Sequence, residues 1–468
     1  MGVSSMRIAR FAAVMLIALP SAALAAQVPI TPGSVLTLDR AIQIALTLHP
    51  RLLERVSQTG EAGGRLGEAK SALLPQVYGT ADYLRSTANG VGNTSYFSAF
   101  EPVGLPPFGV PRQTGRNHDL AANDFSQSAS TENNYGTGVS ISQFLYDFGR
   151  VRGFIDQRRA ERDAVQGRLK LTQLNLIYEV SQRYFGLLAS GEIVKTYHQA
   201  VVQREQEWRQ AALFAKSNLR PELDVYVTKA DLARAQLHLV QAQDTQADAK
   251  VALDNAMGLS GKAPVYQLQG KLGYGSITDR LRALLEQAFR QRPDLLILKD
   301  DIRAAGAQIV QAQSDLYPTF SAQAGYIGMG TGLPMVNNGY LGLVITWPIF
   351  NGYLTESQID AARFKREAAA HALDDLVQRV IFEVQSAFLN WTASIKEIER
   401  AQETLLGSRT ELALASERYR TGLGNIVDVQ VAQRRFVADN TAYINALYGY
   451  SVAKAQVDRA TARSLAEH

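Results

Sequence analysis

Two periodicities alternate along this chain, and each occurs twice. From Leu38 to Leu74, and again from Leu281 to Tyr317, apolar residues recur at helical spacing, broken where Pro50 and Pro293 can open a new helix at its first turn. A period of two follows. Val77, Gly79, Ala81 and Tyr83 alternate with Gln76, Tyr78, Thr80 and Asp82, and Val139 and Ile141 alternate with Ser140 and Ser142. In the second copy Phe320, Ala322, Ala324 and Tyr326 alternate with Ser321, Gln323 and Gly325, while Leu341, Leu343, Ile345 and Trp347 alternate with Gly342, Val344 and Thr346. This predicts four strands, each with one greasy and one small or polar face. Helical stretches without proline then run from Arg150 to about Asn218 and from Leu354 to about Thr421. At 1.5 Å per residue, roughly 70 residues make a rod of roughly 100 Å.

The spacing of matched blocks shows that one unit is written twice. His49-Pro50 precedes Leu73-Leu74-Pro75 as Arg292-Pro293 precedes Leu316-Tyr317-Pro318, with the same separation (75 − 50 and 318 − 293). Leu145-Tyr146-Asp147 recurs as Ile349-Phe350-Asn351, and Leu223-Asp224-Val225 as Val427-Asp428-Val429, both displaced by 204 (428 − 224). The earlier blocks are displaced by 243 (318 − 75), so the first copy carries 39 extra residues (243 − 204). They fall in Ser86 to Asn134, rich in Gly, Pro, Ser and Asn, which predicts a long solvated loop. Its counterpart, Gly328 to Asn338, is a short turn, and its glycines lack the Lys-Ser/Thr of a phosphate cradle. The division is therefore a first repeat over 26–257, a connecting segment over 258–280 and a second repeat over 281–468.

Each long helix carries an apolar stripe at every seventh position. Val180, Leu187, Val194, Val201 and Trp208 match Val384, Trp391, Ile398, Leu405 and Leu412, and the returning helices continue with Leu232, Leu239 and Leu253 against Phe436, Tyr443 and Val457. Such heptads predict coiled-coil seams. An antiparallel helical bundle accounts for the seams equally well; the four inserted strands separate the two readings. In lipid, strands survive only in a closed barrel, because every backbone polar group must be paired. Four strands cannot close one. Two chains would give a narrow, filled barrel and three a twelve-stranded barrel with an open lumen, and three is the expectation.

Composition fixes the compartment. Arg7 and Arg10 precede an apolar run from Phe11 to Leu19, then Pro20 and a small-residue site at Ala23-Leu24-Ala25, which reads as a secretory leader cut after Ala25. The run is too short to span a bilayer, and no later segment offers the ~20 apolar residues needed. There is no cysteine, which excludes disulfides, thiolate metal sites, a cysteine nucleophile and lipidation through an N-terminal cysteine. The net charge of +4, with acids and bases interleaved, gives no reason to expect a nucleic-acid partner.

In the order and spacing of these blocks, with Tyr146-Asp147-Phe148-Gly149 and Arg418-Tyr419-Arg420-Thr421-Gly422 leading into Ile426-Val427-Asp428-Val429, the chain resembles the TolC-like outer-membrane efflux proteins over nearly its whole mature length. The resemblance implies a mainly α fold with a membrane β-barrel. Four strands per chain complete a trimeric 12-stranded barrel in the outer membrane, and the coiled-coil helices form an α-barrel across the periplasm. The implied function is a passive duct in a tripartite efflux or type I secretion system, docked onto a periplasmic adaptor (membrane fusion) protein and an inner-membrane pump. The connecting segment would form an equatorial belt, and the long loop would face outside the cell. Many relatives carry a lipidated cysteine that this chain lacks, so barrel insertion in outer-membrane lipid would be the anchor.

Candidate functional residues cluster at the helix reversals. Asn218 and Gly422 occupy matched turns and suit a left-handed cap; with Leu219, Arg220, Leu423 and Gly424 they make the expected adaptor-docking tips. Asp224 and Asp428 start the returning helices, where aspartate favours the cap position. Both are also expected, with Tyr419, to form the pore constriction. The resemblance places an arginine at the position of Gly424 and a second acid at that of Val431, and this chain has neither. A gate held mainly by helix packing and a Tyr419 to Asp224 contact is the expectation. Tyr83, Tyr135, Tyr326, Tyr340 and Trp347 are candidates for interfacial girdles, with core packing the alternative for Trp347. Asp300-Asp301 and Asp374-Asp375 read as solvated, and His198, His238 and His371 as helix-surface residues without ligand spacing. No catalytic residue, metal site or cofactor is therefore expected, and the rival to a channel is a soluble periplasmic coiled-coil scaffold or adaptor.

Overall fold

The computed structural model describes residues 33–87 and 131–463, apart from 262 and 331. The leader over 1–25 and nearly all of the long loop lie outside the described residues. After a two-residue strand β1 (Val35–Leu36), the first half runs α1 (Leu38–Leu48), α2 (Pro50–Ser71), β2 (Gln76–Thr87), β3 (Thr131–Tyr146), α3 (Arg150–Lys216) and α4 (Glu222–Ala256). A short strand β4 (Gln267–Leu268) follows, then α5 (Leu281–Gln291), α6 (Pro293–Ser314), β5 (Thr319–Gly330), β6 (Val336–Thr346), α7 (Leu354–Arg420) and α8 (Ile426–Ala460). The halves match closely: α3 and α7 each have 67 residues and α4 and α8 each have 35. No helix among the described residues is long and apolar enough to cross a membrane.

The breaks are made by local chemistry. Pro50 and Pro293 each take the first helical position, where the missing N–H costs nothing, and His49 and Arg292 before them are extended. The His49 imidazole accepts from Arg51 N at 3.2 Å, and burial holds its pKa below the ordinary histidine value. Ahead of α3 the chain reverses through Phe148 (φ 56°) and Gly149 (φ 106°). The Asp147 carboxylate accepts from Gly149 N at 3.1 Å and Val151 N at 2.7 Å, satisfying two donors that α3 leaves open.

The four long strands form one antiparallel sheet in the order β2-β3-β5-β6. Its register aligns the greasy residues. Val77 lies opposite Ile141, Ile141 opposite Ala324 and Ala324 opposite Leu341. The opposite face carries Ser140, Gln323, Gly325 and Gly342. A bulge between Phe144 and Tyr146 absorbs Leu145, so Tyr146 pairs with Phe320 and stays on the apolar face. Pairing extends through Thr87 and Thr131. The expected loop of Ser86 to Asn134 therefore gives up its ends to the hairpin.

The predicted seams are buried in part: Val180, Leu187, Val384, Trp391, Ile398 and Leu412 are core residues, while Val194, Val201, Trp208 and Leu405 are half-buried. Each of the four buried apolar clusters lies within one half or that half's portion of the connecting segment. Asp300 and Asp301 depart from the solvated reading, because α6 packs beside α3. Arg303 bridges Asp300 and Asp163, and Arg168 approaches Asp301 at 3.8 Å. Asp374 and Asp375 are exposed, as are His198, His238 and His371.

Tyr184 ties the middle of the molecule together. Its hydroxyl donates to Leu36 O at 3.0 Å and also lies against Gln269 O, so one side chain of α3 fastens both strands at the C-terminal end of the parallel β1–β4 pairing. Tyr184→Phe removes the hydroxyl from Leu36 O, which keeps Gln269 N at 3.0 Å as its other donor, and a loss of about 0.5–1.5 kcal/mol is expected in thermal unfolding of the detergent-solubilised protein. An unchanged melting curve would show that this tie carries no stability.

Candidate functional site: hairpin tips and membrane face

Both long helices end the same way. Asn218 (φ 56°) and Gly422 (φ 81°) take the left-handed conformation. Leu219 N returns to Phe214 O at 2.9 Å, and Leu423 N to Arg418 O at 2.9 Å. These are matched Schellman closures, which satisfy carbonyls that the helix ends leave open. Leu219 and Leu423 stand exposed at the two tips. Gly424 is constrained by close approach: a Cβ there would sit 3.0 Å from Arg418 Cβ and 3.0 Å from Tyr419 N.

Asp224 and Asp428 do not cap their helices. The caps are Pro221 and Asn425, whose Oδ1 accepts from Val427 N at 3.2 Å, and each aspartate is the third helical residue. Proline cannot continue a preceding helix and Asn425 reaches the free amides first. The acids instead face the positive end of the helix dipole. Asp428 is exposed and Asp224 half-buried.

Tyr419 is 3% exposed, in a cluster with Leu412, Ile426, Val429 and Ala432. The expected contact of Tyr419 with Asp224 is electrostatic and includes no hydrogen bond, since the Tyr419 hydroxyl has no hydrogen-bond partner among the described residues. Burial, and secondarily the Asp224 charge, push its pKa above the usual phenol value. The tie between the tips comes from Arg220, whose Nη2 donates to Gly424 O at 3.1 Å while the guanidinium lies 5.4 Å from the Tyr419 ring centroid. The missing arginine at 424 is thus answered from the opposite tip, alongside the apolar packing of Tyr419.

Higher up is a buried polar layer that sequence reasoning missed. Arg204 Nη1 pairs with Glu207 at 3.0 Å, its Nη2 reaches Gln430 O at 3.5 Å, and Asp231 Oδ2 lies 4.0 Å away. Burial raises the Glu207 pKa against the pull of Arg204. Asp231 Oδ2, Gln430 Nε2 and Gln433 Oε1 have no hydrogen-bond partner in the structure. The available signal was Arg204 itself, a charge three residues after Val201 and four before Trp208, where the seam calls for an apolar residue.

At the other end, the apolar face of the sheet is bare. Val77, Val139, Ile141, Tyr326, Leu341, Leu343 and Ile345 are all exposed. A strand of 12 residues at ~3.3 Å per residue, tilted by ~40°, spans roughly 30 Å, the height of a bilayer's hydrocarbon band. Tyr83 and Tyr135 pair at one edge with centroids 5.2 Å apart. Trp347, 57% exposed, lies beyond the strand at the other edge with its indole N–H on Leu316 O at 3.1 Å, so core packing does not describe it. Tyr340 leaves the girdle: it sits on the opposite face, its ring over Gly325.

A sheet apolar across one whole face, carried on helices of this length that end in closed tips, is a wall segment of a membrane channel extended by a helical tube. The outer membrane efflux protein family matches residues 41–259 and 284–463, and the chain belongs to it. Among its relatives, the cation efflux system protein CusC of Escherichia coli strain K12 is 23% identical over 357 residues, covering 73% of this chain and 76% of that one. The outer membrane protein TolC of the same strain is 26% identical over 440 residues, covering 89% and 80%. The crystal structure of the Campylobacter jejuni CmeC outer membrane channel matches with a TM-score of 0.73 at 17% identity, over 92% of this chain and 88% of that one. The protein is an outer-membrane efflux channel.

The capping assignment separates cleanly by substitution. Asn425→Ala removes the side-chain acceptor at the start of α8 and is expected to cost about 1 kcal/mol, whereas Asp428→Ala, which removes no cap acceptor, should cost only the ~0.3 kcal/mol that an exposed charge gains from the helix dipole. Equal losses in thermal unfolding would return the capping role to Asp428.

Proposed function

We propose that three chains close a twelve-stranded barrel in the outer membrane over a periplasmic helical tube, a passive duct for export in a tripartite efflux or type I secretion system. The observation that carries this is a second heptad seam on α4. Leu223, Tyr226, Leu237, Val240 and Val251, with Ala230, Ala233 and Ala247 among them, repeat at alternating steps of three and four, interrupted at Asp244, and are exposed. On α8 the matching positions Gln430, Val437, Thr441, Ile444, Ser451 and Ala455 are half or fully buried, with α3 packed alongside, while Val427 and Arg434 are exposed. By the duplication, what α3 does for α8 the α7 of a neighbouring chain does for α4. Phe382 and Leu389 of α7 stand exposed for that contact. The in-chain pair Asn175 and Arg459 becomes Arg379 and Asn255 at the chain boundary, the same two residue types exchanged.

In this reading 26–257 and 281–468 are the two repeats, 258–280 belts the tube, and the leader is removed after Ala25. The tips, Asn218 to Arg220 and Gly422 to Gly424, point toward the inner membrane and meet the adaptor, with the pump beyond. Asp428, with Asp224 and Tyr419 beside it, forms the constriction. Three-fold repetition turns each inward carboxylate into a ring of three, which favours cations.

The chain boundary is testable because the background holds no cysteine. Thr196 Oγ1 and Asn440 Nδ2 are 2.7 Å apart within one chain, and their counterparts 204 positions on and back are Arg400 and Gln236. The double variant Gln236→Cys with Arg400→Cys should oxidise in membranes to covalently linked trimers, while Thr196→Cys with Asn440→Cys gives bridged single chains. Recovery of single chains alone from the first pair would refute the ring.

For the constriction, Asp428→Asn in planar bilayers is expected to lower the cation-over-anion permeability ratio severalfold and to relieve block by divalent cations. Selectivity that stays put would remove Asp428 from the pore lining.

A further inference from the structure

At the level of the connecting segment each half has its own buried cluster, and the two do not close on one another. Between them lies a cavity of about 990 Å³, bordered by Ile42 and Ile177 of the first cluster and by Trp391 and Tyr450 of the second. Residues 273–276 of the connecting segment also line it. Tyr450 pins that stretch, its hydroxyl accepting from Gly275 N at 3.1 Å and donating to Gly275 O at 3.2 Å.

The wall is aromatic. Tyr178, Phe185 and Tyr274 join Trp391 and Tyr450 around the space. The Tyr450 ring centroid lies 6.3 Å from that of Trp391, tilted by 45°, and 6.3 Å from that of Tyr274, nearly edge-on at 76°. Ring faces and ring edges are thus both presented to one cavity. The duplication does not repeat this set. At the equivalent positions 204 residues away, Phe382 and Leu389 stand for Tyr178 and Phe185, and Leu187 and Gln246 for Trp391 and Tyr450. The full aromatic set exists only where the two halves of one chain meet.

The charges lining the cavity are balanced in number but not equally engaged. Arg463 holds Asp279 at 3.0 Å and Asp458 at 3.6 Å. Asp39 sits in the first turn of α1, where the positive end of the helix dipole answers it. Lys271 and Lys454 have no ion pair or hydrogen bond among the described residues. The counterpart of Lys454 is Lys250, which is paired with Asp254 at 2.8 Å. Two uncommitted ammonium groups therefore border a cavity walled by rings.

We propose that this cavity is a binding site for a small organic carboxylate with an aromatic or alicyclic ring body, its rings against Tyr178, Trp391 and Tyr450 and its carboxylate at Lys271 and Lys454. The volume is at the upper end of that of small-molecule sites, and a mostly apolar wall with a few polar groups is their usual composition. Burial of the ring body supplies the larger share of the affinity. The charge-assisted bonds from the lysines select the anion over its neutral analogue. A ligand here touches α1, α8 and the connecting segment, and so spans both halves. The site is built within one chain and does not depend on how many chains form the duct.

Trp391 is one of three tryptophans, so Trp208→Phe with Trp347→Phe leaves it as the sole indole reporter. The assembled protein in nanodiscs is titrated with 1-adamantanecarboxylate, which does not absorb where tryptophan does. A saturable change in Trp391 emission is expected, and calorimetry on the unsubstituted protein should return the same affinity. The neutral 1-adamantanemethanol should bind about tenfold or more weakly. Lys271→Gln with Lys454→Gln should weaken binding of the carboxylate to the same extent, whereas arginine at both positions should hold it within about threefold. Equal affinity for acid and alcohol, or an affinity that the lysine pair does not alter, would show ring bodies partitioning into lipid and would overturn the site. Absence of saturable heat with the unsubstituted protein would make the cavity a water-filled cleft only and would overturn it too.

Discussion

A β-sheet in hydrocarbon cannot leave its outermost backbone groups open, and here those belong to β2 and β6. The rest of the architecture follows from this incompleteness. The helices repeat it in another form: α4 carries an apolar seam with nothing on it, and α7 carries Phe382 and Leu389 in the open. Sheet and helices are thus unfinished at the same two flanks of the chain, β2 and α4 belonging to one half and β6 and α7 to the other. One lateral neighbour on each side meets both needs.

Within the chain, apolar and polar interactions have divided the labour. Each half builds its own buried clusters, and the hydroxyl of Tyr184 on one side and of Tyr450 on the other fasten the connecting segment to them. Between the halves, hydrophobic burial gives way to side-chain hydrogen bonds as the helices leave the sheet. Apolar packing is indifferent to small rotations but holds two surfaces together over their whole length. Directed bonds to single carbonyls hold at points and can be exchanged one at a time.

Much of this was legible in the sequence because it repeats. The alternation of Val77 to Tyr83, the heptads from Val180 to Trp208, and the reversals at Asn218 and Gly422 rest on local rules that tertiary context did not override. Where the reading failed, two residue types competed for one role. Asp428 and Asn425 both suit an N-cap, and only the path of the turn decides that Asn425 is placed for it. Tyr340 falls with Gly342, Val344 and Thr346 in the alternation of β6, so its place over Gly325 was already readable there, and only its aromatic ring suggested a girdle. Asp300 and Asp301 carry no sign in the chain that α3 will bring Arg168 and Asp163 alongside. Arg204 was visible as a charge in an apolar seam, with Glu207 one turn on, yet Asp231 and Gln430 lie on two other helices.

The equal lengths of α3 and α7, and of α4 and α8, bear on how such a chain tolerates change. All the hairpins must finish at one level if the far rim is to present a flat surface, so seven residues inserted into one long helix would raise a step of roughly 10 Å on that rim. A length change in the tube is acceptable only when it is made four times over, in both arms of both hairpins, and by whole heptads that keep the seams in phase. The strand hairpins answer to no such rule, and there the two halves differ by 39 residues (243 − 204). Variation in length is thereby channelled toward the end of the molecule beyond the sheet, while the opposite rim is held to a fixed gauge.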